Sequence, residues 1–147
     1  MNKELDKILV IDDNEMIGNK YIEIGEGLIE APCQFKEVEK SLRNKKYPML
    51  IMDYEFSSWG PCNGEKLVKK IKNGDYGNLN QNSIFINNSS HPNKETVGKV
   101  GKAEKKWGLE RNPKLECYNL KNILEKYLPE HAKYLKEKHV NSKEVIF

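Results

Sequence analysis

Four consecutive apolar residues, Ile8-Leu9-Val10-Ile11, run directly into Asp12-Asp13-Asn14. Such a run is too short for a helix and rich in β-branched side chains, so it reads as a strand buried on both faces, the kind found in parallel sheets. The two carboxylates then stand at the strand's C-terminal end, the edge of an open α/β sheet where ligands bind. Asp13 or Asn14 also suits the N-cap of the helix that follows, because Asp and Asn are favoured there.

The theme returns at Met49-Leu50-Ile51-Met52-Asp53, again an unbroken apolar run ending in an acid. Parallel strands joined by right-handed crossovers present the same ends to the same side, so Asp12, Asp13 and Asp53 are placed to converge. Three carboxylates together suit a hard divalent cation such as Mg²⁺, which binds a few carboxylates and keeps waters that a phosphate can replace. A third run, Ser83-Ile84-Phe85-Ile86-Asn87, ends in the small polar residues Asn88-Ser89-Ser90.

Helical patterns alternate with these strands. From Met16 and Ile17 through Tyr21, Ile24, Leu28 and Ile29, apolar residues recur at three and four, predicting an amphipathic helix that Ala31-Pro32 breaks. Gly18, Gly25 and Gly27 each cost about 1 kcal/mol of helix propensity relative to Ala, so its C-terminal part frays or ends early. A short strand is expected over residues 33–35 and a second helix over residues 38–44. A third helix is expected over residues 64–72, carried by Leu67, Val68 and Ile71. Residues 73–82, with two glycines and four asparagines, read as a surface loop. A further helix follows over residues 94–107. The fifth strand is expected within residues 109–114, where the apolar signal is weakest. Leu120, Ile123, Leu124, Tyr127 and Leu128 mark a last amphipathic helix, and residues 129–147 form a polar tail or an extra helix.

At 147 residues, with 37% hydrophobic and 32% charged residues, the chain suits one soluble domain, residues 1–128, plus its tail. No apolar run approaches a membrane span, and the charged N-terminus lacks a signal peptide's apolar core, so a cytoplasmic location is expected. Cys33, Cys62 and Cys117 are odd in number and widely spaced, which fits reduced thiols. Residues 1–90 hold 12 Lys and Arg against 14 Asp and Glu, and residues 91–147 hold 13 against 8. The basic half is laced with glutamates at helical spacing, so a solvated face explains it and no nucleic-acid partner is expected.

Acids after the first and third strands, with a serine after the fourth, make this chain resemble the receiver domain of bacterial two-component response regulators. The resemblance covers about residues 7–128 and rests on Ile8-Leu9-Val10-Ile11-Asp12-Asp13-Asn14, Leu50-Ile51-Met52-Asp53 and Ile86-Asn87-Asn88-Ser89-Ser90, with Gly64 opening the third helix. It implies a flavodoxin-like α/β fold, a doubly wound five-stranded parallel sheet with helices on both faces. It further implies that Asp53 is the phosphoacceptor, that Asp12 and Asp13 bind Mg²⁺ with Asp53, and that Glu55 lends its backbone carbonyl to the metal. Ser89 matches the hydroxyl that contacts the phosphoryl group.

Three departures from the family stand out. The family's lysine before proline has no direct match in Arg111-Asn112-Pro113-Lys114; Lys114 is the first choice for that role and Arg111 the second, though a guanidinium does not replace an ammonium. The aromatic residue that rotates on activation has no assignable counterpart in that stretch. Asp53 to Gly64 is also long for the family, and Trp59-Gly60-Pro61-Cys62 is placed to form a lid or contact surface beside the site.

The expected function is that of a stand-alone, non-enzymatic receiver. It would be phosphorylated by a histidine kinase or histidine phosphotransfer protein and act on a downstream protein or a second copy of itself. The alternatives are a phosphorylation-independent interaction module and, less well supported, a metal-dependent phosphohydrolase, whose second acid Asp53-Tyr54-Glu55 faintly mirrors.

Overall fold

Three apolar runs become the centre of a parallel sheet in the computed structural model, which describes residues 5–53, 59, 64–87, 110–111 and 120–141, with backbone alone at 110–111 and 139–141. The strands are β1 (Ile8–Ile11), β2 (Ile29–Glu30), β3 (Met49–Met52), β4 (Ile84–Asn87) and β5 (Glu110–Arg111), in the order β2-β1-β3-β4-β5. Every pairing is parallel, with Ile11 opposite Met52, Met52 opposite Asn87 and Asn87 opposite Arg111. The doubly wound five-stranded architecture expected from the sequence is therefore present.

The helices are α1 (Glu15–Ile24), α2 (Phe35–Asn44), α3 (Gly64–Lys72), α4 (Leu120–Tyr127) and α5 (Pro129–Asn141). Side chains alternate across the sheet and build two cores. Ile8, Val10, Met49, Ile51 and Ile86 pack with Tyr21 of α1, Leu120, Ile123 and Leu124 of α4, and Ala132 and Leu135 of α5. Leu9, Ile11, Leu50, Met52 and Phe85 face the other way, onto Val38 and Leu42 of α2 and Leu67, Val68 and Ile71 of α3. Burial on both faces is why these strands are continuous apolar runs.

The expected strand at residues 33–35 is corrected: β2 lies earlier, at Ile29–Glu30, and Phe35 already opens α2. Helix α1 stops at Ile24, as its glycines foretold, because Gly25 caps it and Glu26 and Gly27 take left-handed φ values of 48° and 89°. Leu28 and Ile29 continue the helical spacing only by coincidence; Ile29 pairs with Ile8 in the sheet. Met16, expected on the apolar face, is 68% exposed, and Ile17 packs on the core instead.

The turn after α1 is close-packed. A β-carbon on Gly25 would stand 2.2 Å from Ile29 Cγ1 and 2.8 Å from Tyr21 O. Gly25→Ala is therefore expected to lower stability by about 1–3 kcal/mol through overpacking, read as the midpoint of urea unfolding. An unchanged midpoint would show that the turn can relax.

Residues 73–82 do not form a purely superficial loop. Tyr76 is 4% and Asn80 only 2% exposed. Asn80 Oδ1 accepts from Tyr47 N at 2.7 Å, and its Nδ2 donates to Leu42 O at 3.0 Å and Lys45 O at 2.8 Å. One amide thus ties the α3–β4 connection to the turn between α2 and β3. Composition marked this segment as a turn but could not show that its asparagine is buried.

Beside that turn, Glu30 accepts from Lys45 Nζ at 2.8 Å and from the Tyr47 hydroxyl. Burial pushes the Glu30 carboxyl up, but the Lys45 and Tyr47 hydrogen bonds with the charges of Lys45 and Lys7 outweigh it, so its pKa is lowered. A carboxyl with a lowered native pKa adds stability above its unfolded pKa that is lost as pH falls through the native one. Glu30→Gln is expected to lose less stability than the wild type on acidification below about pH 4.5, followed by urea unfolding at a series of pH values. Parallel acid limbs for the two proteins would refute this.

The expected helix over residues 94–107 lies outside the described residues. The last amphipathic helix is α4, and residues 129–141 are helical, with Ala132 and Leu135 reaching the core.

Candidate functional site

Two strand ends and one cap create the site. Ile11 and Met52 are register partners, and Asp53 N donates to Ile11 O at 2.9 Å, so the residues that follow them emerge side by side. Asn14 caps α1, its Oδ1 accepting from Met16 N at 3.0 Å. Of the two capping candidates the structure thus uses Asn14, which leaves Asp13 to the site. Asp12 Oδ1 accepts from Asn14 N at 2.8 Å, which fixes the turn out of β1.

Asp12, Asp13 and Asp53 each offer a carboxylate oxygen, and these oxygens lie within 4.8 Å of one another. All three residues are half-buried. Oxygens on opposite sides of a Mg²⁺ would be about 4.2 Å apart, and around Ca²⁺ about 4.6–5.2 Å, so the triad spans a divalent cation with small side-chain adjustments. The chemistry of the donor set agrees, since carboxylates are the ligands of hard cations. Burial, with a smaller contribution from the Asp13 charge, pushes the Asp12 carboxyl up to about 6, although the Asn14 N–H opposes the shift. Keeping Asp12 ionised at neutral pH therefore costs stability, which a cation would return.

The fourth strand brings a buried amide to the same edge. Asn87 is 2% exposed and pairs with Met52, one residue before Asp53. The sequence noted it only as the end of an apolar run, and its burial follows from the central position of β4. On β5, Arg111 is the register partner of Asn87, so its backbone stands level with Met52. Trp59 packs on Phe35 at the start of α2, ring centroids 5.7 Å apart and tilted by 42°. Trp59 is thereby joined to α2, while Gly60, Pro61 and Cys62, the rest of the expected lid or contact surface, lie outside the described residues. Glu55, Ser89, Ser90 and Lys114 lie outside the described residues. Cys33 is an exposed free thiol, and Cys62 and Cys117 also fall outside them.

No helix among the described residues is long and apolar enough to cross a membrane. No protein-family model matches the sequence, and no curated protein does. Solved structures do match. A response regulator receiver domain protein from Methanospirillum hungatei JF-1 is 18% identical with a TM-score of 0.65, over 89% of this chain and 99% of that one. A signal receiver domain of an HD domain-containing protein from Pseudomonas fluorescens Pf-5 is 14% identical with a TM-score of 0.65, over 88% and 99%. A response regulator from Burkholderia pseudomallei, solved with a phosphorylated aspartic acid, a calcium ion and citrate, is 18% identical with a TM-score of 0.58, over 97% and 78%. Strand order, register and these likenesses agree that this chain has the fold of a response regulator receiver domain.

Proposed function

We propose that this chain is a cytoplasmic two-component receiver that accepts a phosphoryl group on Asp53 from the phosphohistidine of a histidine kinase or phosphotransfer protein. The observation that carries this reading is the convergence of Asp12, Asp13 and Asp53 at the C-terminal edge of β1 and β3. A structural neighbour with a phosphorylated aspartic acid and a calcium ion supports it.

A carboxylate oxygen of Asp53 attacks phosphorus, the O–P bond forms as the N–P bond of the phosphohistidine breaks, and the leaving imidazole nitrogen takes up a proton. Asp12 and Asp13, with Asp53, would hold Mg²⁺. When bound, that cation offsets the negative charge of the acids and of the phosphoryl oxygens. Asp12 is held by its bond from Asn14 N. Ser89 is assigned the contact to the phosphoryl oxygens, Glu55 a backbone carbonyl toward the metal, and Lys114, or else Arg111, the compensating positive charge.

The test is phosphorylation by acetyl phosphate with Mg²⁺, read by intact mass. Wild type is expected to gain one phosphoryl group, and Asp53→Asn none. Equal labelling of both would overturn the assignment. Multiple turnover of a generic phosphomonoester would instead favour the phosphohydrolase reading.

A phosphorylation-independent interaction module is the second reading. What favours it is the departure at Arg111-Asn112-Pro113-Lys114, where the family's lysine before proline has no direct match. Mg²⁺ titration followed by Trp59 fluorescence in a Trp107→Phe background separates the two. A saturable change is expected for the receiver, and a flat titration to about tens of millimolar would support the module.

A further inference from the structure

Among the described residues, positive charge is concentrated on one face of the sheet. Residues 35–46, covering α2 and the turn after it, hold five cations against two acids, and Gly64–Lys72 of α3 holds four against one, a net of +6. The three helices on the opposite face, α1, α4 and α5, together reach only +1. Helices α2 and α3 pack on the same side of the sheet. They are also tied at one end, where the Tyr76 hydroxyl donates to Glu39 Oε2 at 2.9 Å and Arg43 lies 5.2 Å over the Tyr76 ring. Lys36, Lys40, Arg43, Lys66, Lys69 and Lys70 are all exposed on this face. Glu39 keeps its negative charge while accepting from Tyr76, and Lys45 is paired with Glu30 at 2.8 Å, which takes one cation from the face's count and leaves it still strongly positive.

We infer that the α2–α3 face is a docking surface for an acidic protein segment. Charge complementarity carries the choice of partner, and three observations narrow its class. Helices α2 and α3 bury Val38, Leu42, Leu67, Val68 and Ile71 in the core, and of the exposed large apolar residues Met16 and Ile22 belong to α1 on the other face and Leu79 stands alone in the α3–β4 connection. Among the described residues, no apolar row remains on α2 and α3 to enter a lipid surface. Glu37 and Glu65 interrupt the lysines, which suits discrete carboxylates better than an unbroken phosphate backbone. At its upper end, the half-buried Phe35–Trp59 pair supplies the aromatic contact that protein interfaces favour. The lysines then steer and register the partner. This surface stands apart from the Asp53 reading and is tested without phosphorylation.

The experiment measures fluorescence anisotropy of a labelled, glutamate-rich unstructured peptide with the full chain, at low salt and at about 0.3 M salt. Wild type is expected to bind at low salt and to weaken at high salt. The combined Lys36→Glu, Lys40→Glu, Lys69→Glu and Lys70→Glu variant is expected to lose affinity by about tenfold or more. A Lys→Gln set at the same four positions, which removes charge without adding acids, is expected to lose less but in the same direction. The same four reversals on the other face, Lys121→Glu, Lys126→Glu, Lys133→Glu and Lys136→Glu, are expected to leave affinity within about twofold. Equal loss from both faces, or no binding by wild type, would overturn the proposal. Tighter binding of a DNA duplex or of phosphatidylserine vesicles than of the peptide would overturn the partner class.

Discussion

Asn80→Leu is expected to destabilise the protein by about 3–5 kcal/mol, because it leaves two buried backbone groups and one part-buried carbonyl unpaired, at about 1–3 kcal/mol for each buried group. Those groups are Tyr47 N, Leu42 O and Lys45 O, all bonded to the Asn80 amide within 3.0 Å. Leucine is close in size but offers neither donor nor acceptor, so the loss isolates the hydrogen bonds from packing. For a chain of this length each kcal/mol moves Tm by about 2–4 °C, so a fall of roughly 10 °C is expected in a thermal melt. Ser83→Ala is the milder companion. Ser83 Oγ donates to Tyr47 O at 2.5 Å and lies 3.3 Å from Asn80 Oδ1, at the margin of the same knot. A drop of less than about 3 °C for Asn80→Leu would show that water or a shifted turn replaces these bonds.

Leu135→Ala is expected to cost about 2–5 kcal/mol, the usual range for a fully buried leucine. Leu135 is 0% exposed and sits with Ala132 in the core formed by β1, β3, α1 and α4. Helix α5 is otherwise largely polar and packs against α4, with His131 and Ala132 also buried. His131 Nε2 donates to Asp6 O at 2.7 Å, and the Tyr134 hydroxyl donates to Glu26 O at 3.2 Å. These bonds hold α5 against the N-terminal end of β1 and the turn after α1. Leu135 is therefore the side chain whose loss opens a cavity, whereas exposed Lys136→Ala on the same helix is expected to stay within about 0.5 kcal/mol. Denaturant unfolding followed by far-UV dichroism compares the two. Equal, small effects would mean that α5 opens before the rest of the domain and adds nothing to global stability.

The parts of this protein legible in its sequence are those where one local pattern has one physical meaning. Ile8–Ile11 and Met49–Met52 read as doubly buried strands because a short β-branched or apolar run is unfavourable in water on either face. The acids after them then fall on one edge by the geometry of parallel pairing, and the structure brings Asp12, Asp13 and Asp53 together. Residues 28–30 were not legible. Their apolar residues keep the helical spacing of α1, while the decision to leave the helix is made by Gly25 and by the left-handed backbone at Glu26 and Gly27. The buried role of Asn80 was hidden for another reason: asparagine in a glycine-rich loop has the same composition whether it faces water or two carbonyl groups 35 or more residues away in sequence.

The surface shows the same division. Counting charges by sequence half placed the positive excess in residues 91–147, yet the described fold concentrates six net positive charges on α2 and α3 with the turn between α2 and β3. By itself the sequence determined the three central strands β1, β3 and β4 and the acids bound for their edge, because periodicity and burial are properties of neighbouring residues, while the five-stranded plan rested on the resemblance and β2 was misplaced. The tertiary structure alone decided how close those acids stand, that burial lifts Asp12 while Asn14 takes the cap, that Asn80 is interior, and which helices share a charged face. Each of these depends on residues far apart in the chain, whose distance is set only when the sheet is assembled.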